Sequence, residues 1–421
     1  MYRRRNRAAR AALAGAVVAG TLASVLAVGA PAEAGTVRQA HTPAAAPTPA
    51  PNLTALRTAL QSVVKAGAPG VFAQVQDGYG AKTYTVSTGK GDLATNTAVN
   101  PAGEFRVGSI TKNFTAVLVL QLVAQKKVDL DALASRYLPA GLLPKGSPIT
   151  VRELLNHTSG LYDYTDDLLT GDTVTGYQGF RYKTYTPQSL VADSVKHGPQ
   201  FTPGKDYSYS NTNFVVLGLL VEHVTGLPYA TVLHQRILDP LHLTHTYFVV
   251  PQTTVPGVHA LGYLTQDNPA KPLFDATDQT ASWLWTAGAL ISSTSDLNTY
   301  LRALTTGHLL PAAQLAQMET TEFVNSTTRY GLGLREYQLP CGTDVYGHDG
   351  IIEGYQTYSY TTKNGSRQVT ISANASNNTT VYAAELRALT PVFCGTSPAP
   401  ARAHTAAAAN ATQIAHEEAR G

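Results

Sequence analysis

Strand-patterned segments stand at both ends of this chain, and helix-patterned segments fill its middle. Gly70 to Ser87 reads as a hairpin turning at Asp77-Gly78-Tyr79-Gly80, and Tyr355 to Thr362 pairs with Gln368 to Ala373 across Lys363-Asn364-Gly365. Ahead of the first hairpin, Asn52 can cap a helix whose Leu53, Leu56, Leu60, Val63 and Val64 share one face. Phe114 to Val123 is apolar on every side, which predicts a buried helix. Thr150 followed by Glu153 is a capping box, a helix is expected over Leu297 to Leu304, and a last one over Val381 to Leu389 stops before Pro391. The arrangement that satisfies this order is an α+β fold: one antiparallel sheet assembled from the two chain ends, flanked by helices, with a mainly helical inserted region. The expected divisions are a sheet domain over 52–140 and 285–395 and an insert over 141–284.

The 421-residue chain is 43% hydrophobic and only 14% charged, so a packed globular body is expected. Residues 1–34 have a cationic start (Arg3, Arg4, Arg5, Arg7, Arg10), an apolar stretch and an Ala32-Glu33-Ala34 cleavage site, which is the pattern of a secretory signal. Without them the formal charge falls from +3 to −1, which gives no basis for nucleic-acid binding. A Pro/Ala-rich leader (35–51) and an Ala-rich tail (396–421) flank the body. The expected product is secreted, extracellular, monomeric and free of the membrane once the signal is removed. An even pair of cysteines in an exported chain reads as one disulfide, Cys341 to Cys394.

Three short motifs carry the chemistry. In Ser109-Ile110-Thr111-Lys112, at the start of the buried helix, the i, i+3 spacing puts a hydroxyl and an amine on one face. Burial disfavours the charged lysine, so the amine can accept a proton. In Tyr209-Ser210-Asn211 a phenol can relay that proton to a leaving group, and an amide can bond a substrate amide. In His348-Asp349-Gly350, on a strand, the glycine lets a substrate backbone lie against the edge. Each motif alone is unspecific; in this order they form a Ser/Lys/Tyr acyl-transfer set.

With those residues in place, the chain resembles the serine-type D-alanyl-D-alanine carboxypeptidases and the class C β-lactamase-like penicillin-recognising proteins around them. Further blocks carry the likeness: Phe105 to Ser109, Ile149 to Tyr164 (ITVRELLNHTSGLYDY), Tyr207 to Phe214, Ala287 to Asp296, Tyr330 to Leu334 and Val345 to Gly350. Together they span most of 53–395, and the set is most similar to the secreted soluble carboxypeptidases, which also share the cysteine pair. The resemblance implies a β-lactamase/transpeptidase-like fold and a penicillin-reactive acyl-enzyme mechanism on D-alanyl-D-alanine-type peptides. It makes Ser109 the nucleophile, Lys112 its base and Tyr209 the proton shuttle. Asn211 and His348 would orient substrate and support the tyrosine, with the N–H groups of Ser109 and Ile351 as the oxyanion hole. Trp283 would form a pocket wall, and Arg335 would hold a terminal carboxylate.

The third motif departs from that family pattern. The carboxypeptidases have threonines where this chain has Asp349 and Ile351. A second negative charge about 4 Å from a substrate carboxylate costs on the order of 4 kcal/mol at an effective dielectric near 20, unless Arg335 or a water relieves it. The alternative is therefore an esterase or D-amino-acid amidase with an altered leaving-group preference. The implied partners are peptidoglycan-type peptides or D-amino-acid substrates and β-lactams. No cofactor and no metal site are implied.

Overall fold

The computed structural model describes residues 49–395 apart from 171, 172 and 269. The expected signal (1–34), most of the expected leader (35–51) and the expected tail (396–421) lie outside the described residues.

Nine strands form the main sheet. We number them β1 (Gly70–Asp77), β2 (Lys82–Asp92), β3 (Thr97–Ala98), β4 (Glu322–Phe323), β5 (Thr328–Tyr330), β6 (Arg335–Gln338), β7 (Asp344–Ile352), β8 (Tyr355–Thr362) and β9 (Arg367–Ala373). Their spatial order is β3-β2-β1-β9-β8-β7-β6-β5-β4, with antiparallel neighbours throughout. The two ends of the chain meet where β1 pairs β9, from Val71 opposite Ala373 to Asp77 opposite Arg367. Both sequence-predicted hairpins are present, and β2 continues beyond Ser87 to Asp92.

Alternating side chains give the sheet two apolar faces. On one, Leu56, Leu60 and Val63 of α1 (Leu53–Lys65) and Val381 and Leu386 of the helix Thr379–Arg387 pack on Val71, Val75, Val369 and Ile371. Asn52 caps α1 by accepting from the Ala55 N–H at 3.0 Å. On the other face lies α2 (Ile110–Ala124), buried almost all round as its apolar composition predicts. α3 (Asn211–Thr225) packs on it, and α4 (Thr294–Thr305) crosses the sheet. α4 begins three residues earlier than expected because Ser293 is its cap, accepting from the Asp296 N–H at 3.2 Å. Pro391 does not simply end the last helix. It lies in the first turn of a further short one, Thr390–Phe393, where its missing N–H costs nothing.

Region 141–284 is mainly helical but lends strands to its surroundings: Tyr247–Phe248 pairs with Leu290–Ser293, and Tyr263–Leu264 runs parallel to Ala375–Ser376. Cys341, in the turn between β6 and β7, is bonded to Cys394 with a Cα–Cα distance of 6.0 Å. Among the described residues no single helix is long and apolar enough to cross a membrane.

Candidate active site

Ser109 takes the N-cap position of α2, yet its side chain makes no capping bond. The hydroxyl is used elsewhere: Lys112 Nζ lies 2.7 Å from Ser109 Oγ, and the Tyr209 hydroxyl donates to the same oxygen at 2.8 Å. The end of the helix is held instead by Thr111 Oγ1, which donates to the Gly108 carbonyl at 2.7 Å. One turn of helix therefore supplies both nucleophile and amine, as the i, i+3 spacing requires.

Lys112 Nζ also donates to Asn211 Oδ1 (2.7 Å) and to the Ala287 carbonyl (2.9 Å). Asn211 opens α3, and its orientation follows from its other end: Nδ2 donates to Asp163 Oδ2 at 3.0 Å and its backbone N–H to the same oxygen at 2.8 Å. An amide whose nitrogen faces a carboxylate must present its oxygen to the lysine. Thr165 donates to the other oxygen of Asp163 through Oγ1 (2.7 Å) and N–H (3.1 Å). Burial still pushes the Asp163 carboxyl up to about 6, against these donors.

Tyr209 is clamped from behind by His157, whose ring stacks on it at 4.3 Å. His157 Nδ1 lies 3.1 Å from the Ser210 N–H and 3.0 Å from Asn213 Nδ2. Burial, then the Lys112 and Arg335 cations, pull its pKa well below the usual histidine value, so it is neutral with its proton on Nε2.

β7 meets the start of α2 backbone to backbone. A Cβ on Gly108, at φ +51°, would sit 2.4 Å from the Ile351 carbonyl and 2.7 Å from its nitrogen. A Cβ on Gly350 would sit 2.0 Å from the Val107 carbonyl and 2.9 Å from the Ser109 nitrogen. Both positions require glycine, and the contact packs the backbone at Ile351 against the backbone just before Ser109. β6 pairs β7 only from Asp344 to Gly347, so no strand of the sheet covers the outer edge of β7 from His348 to Ile352.

Three expectations need correction, those for Arg335, Trp283 and His348. Arg335 is fully buried, and its Nε lies 2.8 Å from Asp349 Oδ1, so its charge is met from within rather than held out for a substrate carboxylate. Asp349 is the other half of that pair, the relief that the sequence left open, and it also accepts from the Tyr360 hydroxyl at 3.2 Å. Trp283 is enclosed in the core, edge-on to Phe180 at 5.0 Å, with Nε1 donating to Gln279 Oε1 at 3.3 Å, instead of forming an open pocket wall. His348 does not bond Tyr209 through Nε2; that nitrogen is 2.9 Å from the hydroxyl of Tyr330, whose ring meets Tyr209 edge-on at 6.3 Å. Sequence reasoning gave no role to Asp163, His157, Tyr330 or the Ala287 carbonyl. All four lie inside the blocks already quoted, and no local chemistry marked them.

Known proteins share the fold that carries this site. A family model described as Beta-lactamase matches residues 31–390. A D-stereospecific amidohydrolase from a Streptomyces species is 35% identical, with a TM-score of 0.73 over 82% of this chain and all of that one. The D-amino acid amidase of Ochrobactrum anthropi SV3 is 27% identical, with a TM-score of 0.71 over 82% of this chain and 99% of its own. The putative penicillin-binding protein PbpX of Bacillus subtilis is 28% identical over 280 residues, 66% of this chain and 64% of that protein. The chain spans between 40% and 64% of the length of such curated relatives, and the expected monomer draws no support from these likenesses. With its antiparallel sheet flanked by helices and its Ser/Lys/Tyr cluster at the sheet's edge, the chain belongs to the Beta-lactamase family, the serine hydrolases of the β-lactamase/transpeptidase-like fold.

Proposed function

We propose that the protein is a secreted serine hydrolase that cleaves D-aminoacyl amides or esters, whose leaving groups carry no carboxylate, through an acyl-enzyme on Ser109. The observation that carries this is the buried Arg335–Asp349 pair. An arginine already neutralised at 2.8 Å has little field left for a terminal carboxylate, which weakens the D-alanyl-D-alanine carboxypeptidase reading. The likeness to two enzymes named for D-stereospecific amide hydrolysis points the same way.

The hydrogen bonds suggest the proton path. Asn211 Oδ1 and the Ala287 carbonyl can only accept, so they hold two hydrogens of Lys112 Nζ. In the fraction of molecules where the Lys112 cation has shed its third proton, Nζ turns its lone pair toward Ser109. As Oγ bonds to the substrate carbonyl carbon, the hydroxyl proton passes to Nζ, and the oxyanion forms opposite the Ser109 and Ile351 N–H groups. Tyr209 gives its proton to the leaving nitrogen as the C–N bond breaks, and Lys112 restores it. Water then attacks the acyl carbon, losing its proton to the same pair, and the acid leaves with Ser109 restored. Gly350 and Ile351 would hold the substrate backbone along the β7 edge. The test is kcat/KM on D-alanine amide, its L enantiomer and a D-Ala-D-Ala peptide acid. The amide is expected to lead; a large advantage for the free-acid peptide would restore the carboxypeptidase reading.

A further inference from the structure

Resting on that reading, we propose that Glu353 binds the free α-ammonium group of the acyl donor, which makes D-amino-acid amides with an unblocked amine the preferred substrates. Glu353 is the first residue past β7. Its Oε2 is enclosed with no hydrogen-bond partner among the described residues, its own backbone N–H is the one donor to the carboxylate there, and no ion pair meets it among them. A buried anion left unpaired is costly and calls for a cation. Burial accordingly pushes its carboxyl up to about 7.

Its place along the edge says which cation. The leaving group faces Tyr209, with His348 and Asp349 on that side of Ile351. The acyl part must run the other way, past Ile352. Glu353 opens the turn two residues beyond the Ile351 N–H, at most about 7 Å away, within side-chain reach of an amine one bond removed from the reacting carbonyl. Its backbone is fixed there, because the Glu353 carbonyl accepts from Gln279 Nε2 at 2.8 Å and Gln279 is held by Trp283. Trp283 thus acts as a brace for this end of the site.

The experiment measures kcat/KM for D-phenylalanine amide and its N-acetyl derivative, with wild type and Glu353→Gln, which keeps shape and removes charge. The wild type is expected to favour the free amine by 10-fold or more. Glu353→Gln should lower kcat/KM for the free amine by 10- to 100-fold and leave the N-acetyl substrate within 2-fold. Equal losses on both substrates, or none on either, would overturn the assignment while turnover itself upholds the amidase reading. If the wild type turned over neither substrate, that reading would fall, and this one with it.

Discussion

Asn211 stands between Lys112 and Asp163, its oxygen 2.7 Å from the amine and its nitrogen 3.0 Å from the carboxylate. Asp163 touches no reacting atom, yet it decides which end of the amide the lysine meets. It accepts four bonds from Thr165 and Asn211, and a protonated carboxyl would have to give one up. Because burial sets its pKa at about 6, the proton arrives as pH falls through that value. kcat is therefore expected to drop below about pH 6. Asp163→Asn should flatten this acid limb and lower kcat roughly 10²-fold through misplacement of the amide and amine, with KM little changed. An unaltered limb in the variant would assign the titration elsewhere.

Penicillin offers a direct readout of the Ser109 cluster, since a strained amide meets the same nucleophile. Intact-mass analysis after incubation with a penicillin should show one adduct, located on Ser109 after digestion. Ser109→Ala should abolish it. Lys112→Ala should slow its formation by at least 10³-fold, and Tyr209→Phe by roughly 10²- to 10⁴-fold, the usual range for removing a positioned acid–base group. Labelling that survives in Ser109→Ala would put the nucleophile elsewhere.

What the sequence made legible was local. The Ser109/Lys112 spacing, the Thr150 capping box and both hairpins are set by residues within a few positions of one another, where turn chemistry and helix periodicity decide. Joining Tyr209 to Ser109 across 100 residues came from resemblance, since no period or spacing encodes it. What stayed hidden is long-range: Asp163 reaches Asn211 over 48 residues, and His348 bonds Tyr330 rather than Tyr209 because the strand pairing of β5, β6 and β7 sets its neighbours. Arg335 reads from the sequence as a possible relief for Asp349, but its complete burial is not visible there. Trp283 looked like a wall because aromatic side chains serve both roles, and only the fold encloses it.

The Arg335–Asp349 pair can be tested from either side. Asp349→Thr removes the internal partner and leaves a buried cation, which should cost about 3–5 kcal/mol of stability. A substrate carboxylate can then take the vacant place, so kcat/KM for a D-Ala-D-Ala peptide acid should rise relative to its C-terminal amide. Arg335→Gln should be as destabilising without that gain. The measurement is the acid-to-amide ratio of kcat/KM for each variant, beside its melting temperature. An unchanged ratio in Asp349→Thr would mean that the pair has no say in leaving-group choice.

His157 gives a last prediction, in stability rather than rate. Its pKa is held well below 6.5 in the folded protein, first by burial and then by the Lys112 and Arg335 cations. On unfolding it returns to about 6.5. Between those values the unfolded chain binds a proton that the folded chain refuses, so this residue's contribution to stability is present above about pH 6.5 and is lost as pH falls below it. His157→Phe keeps a ring against Tyr209 but cannot accept from the Ser210 N–H and cannot titrate. The variant should melt lower than wild type at pH 7.5, and the gap should narrow steadily toward pH 5.5. The other buried titrating groups are common to both proteins and cancel in the comparison. A gap that stayed constant across this range would mean that the imidazole is not held neutral behind the tyrosine.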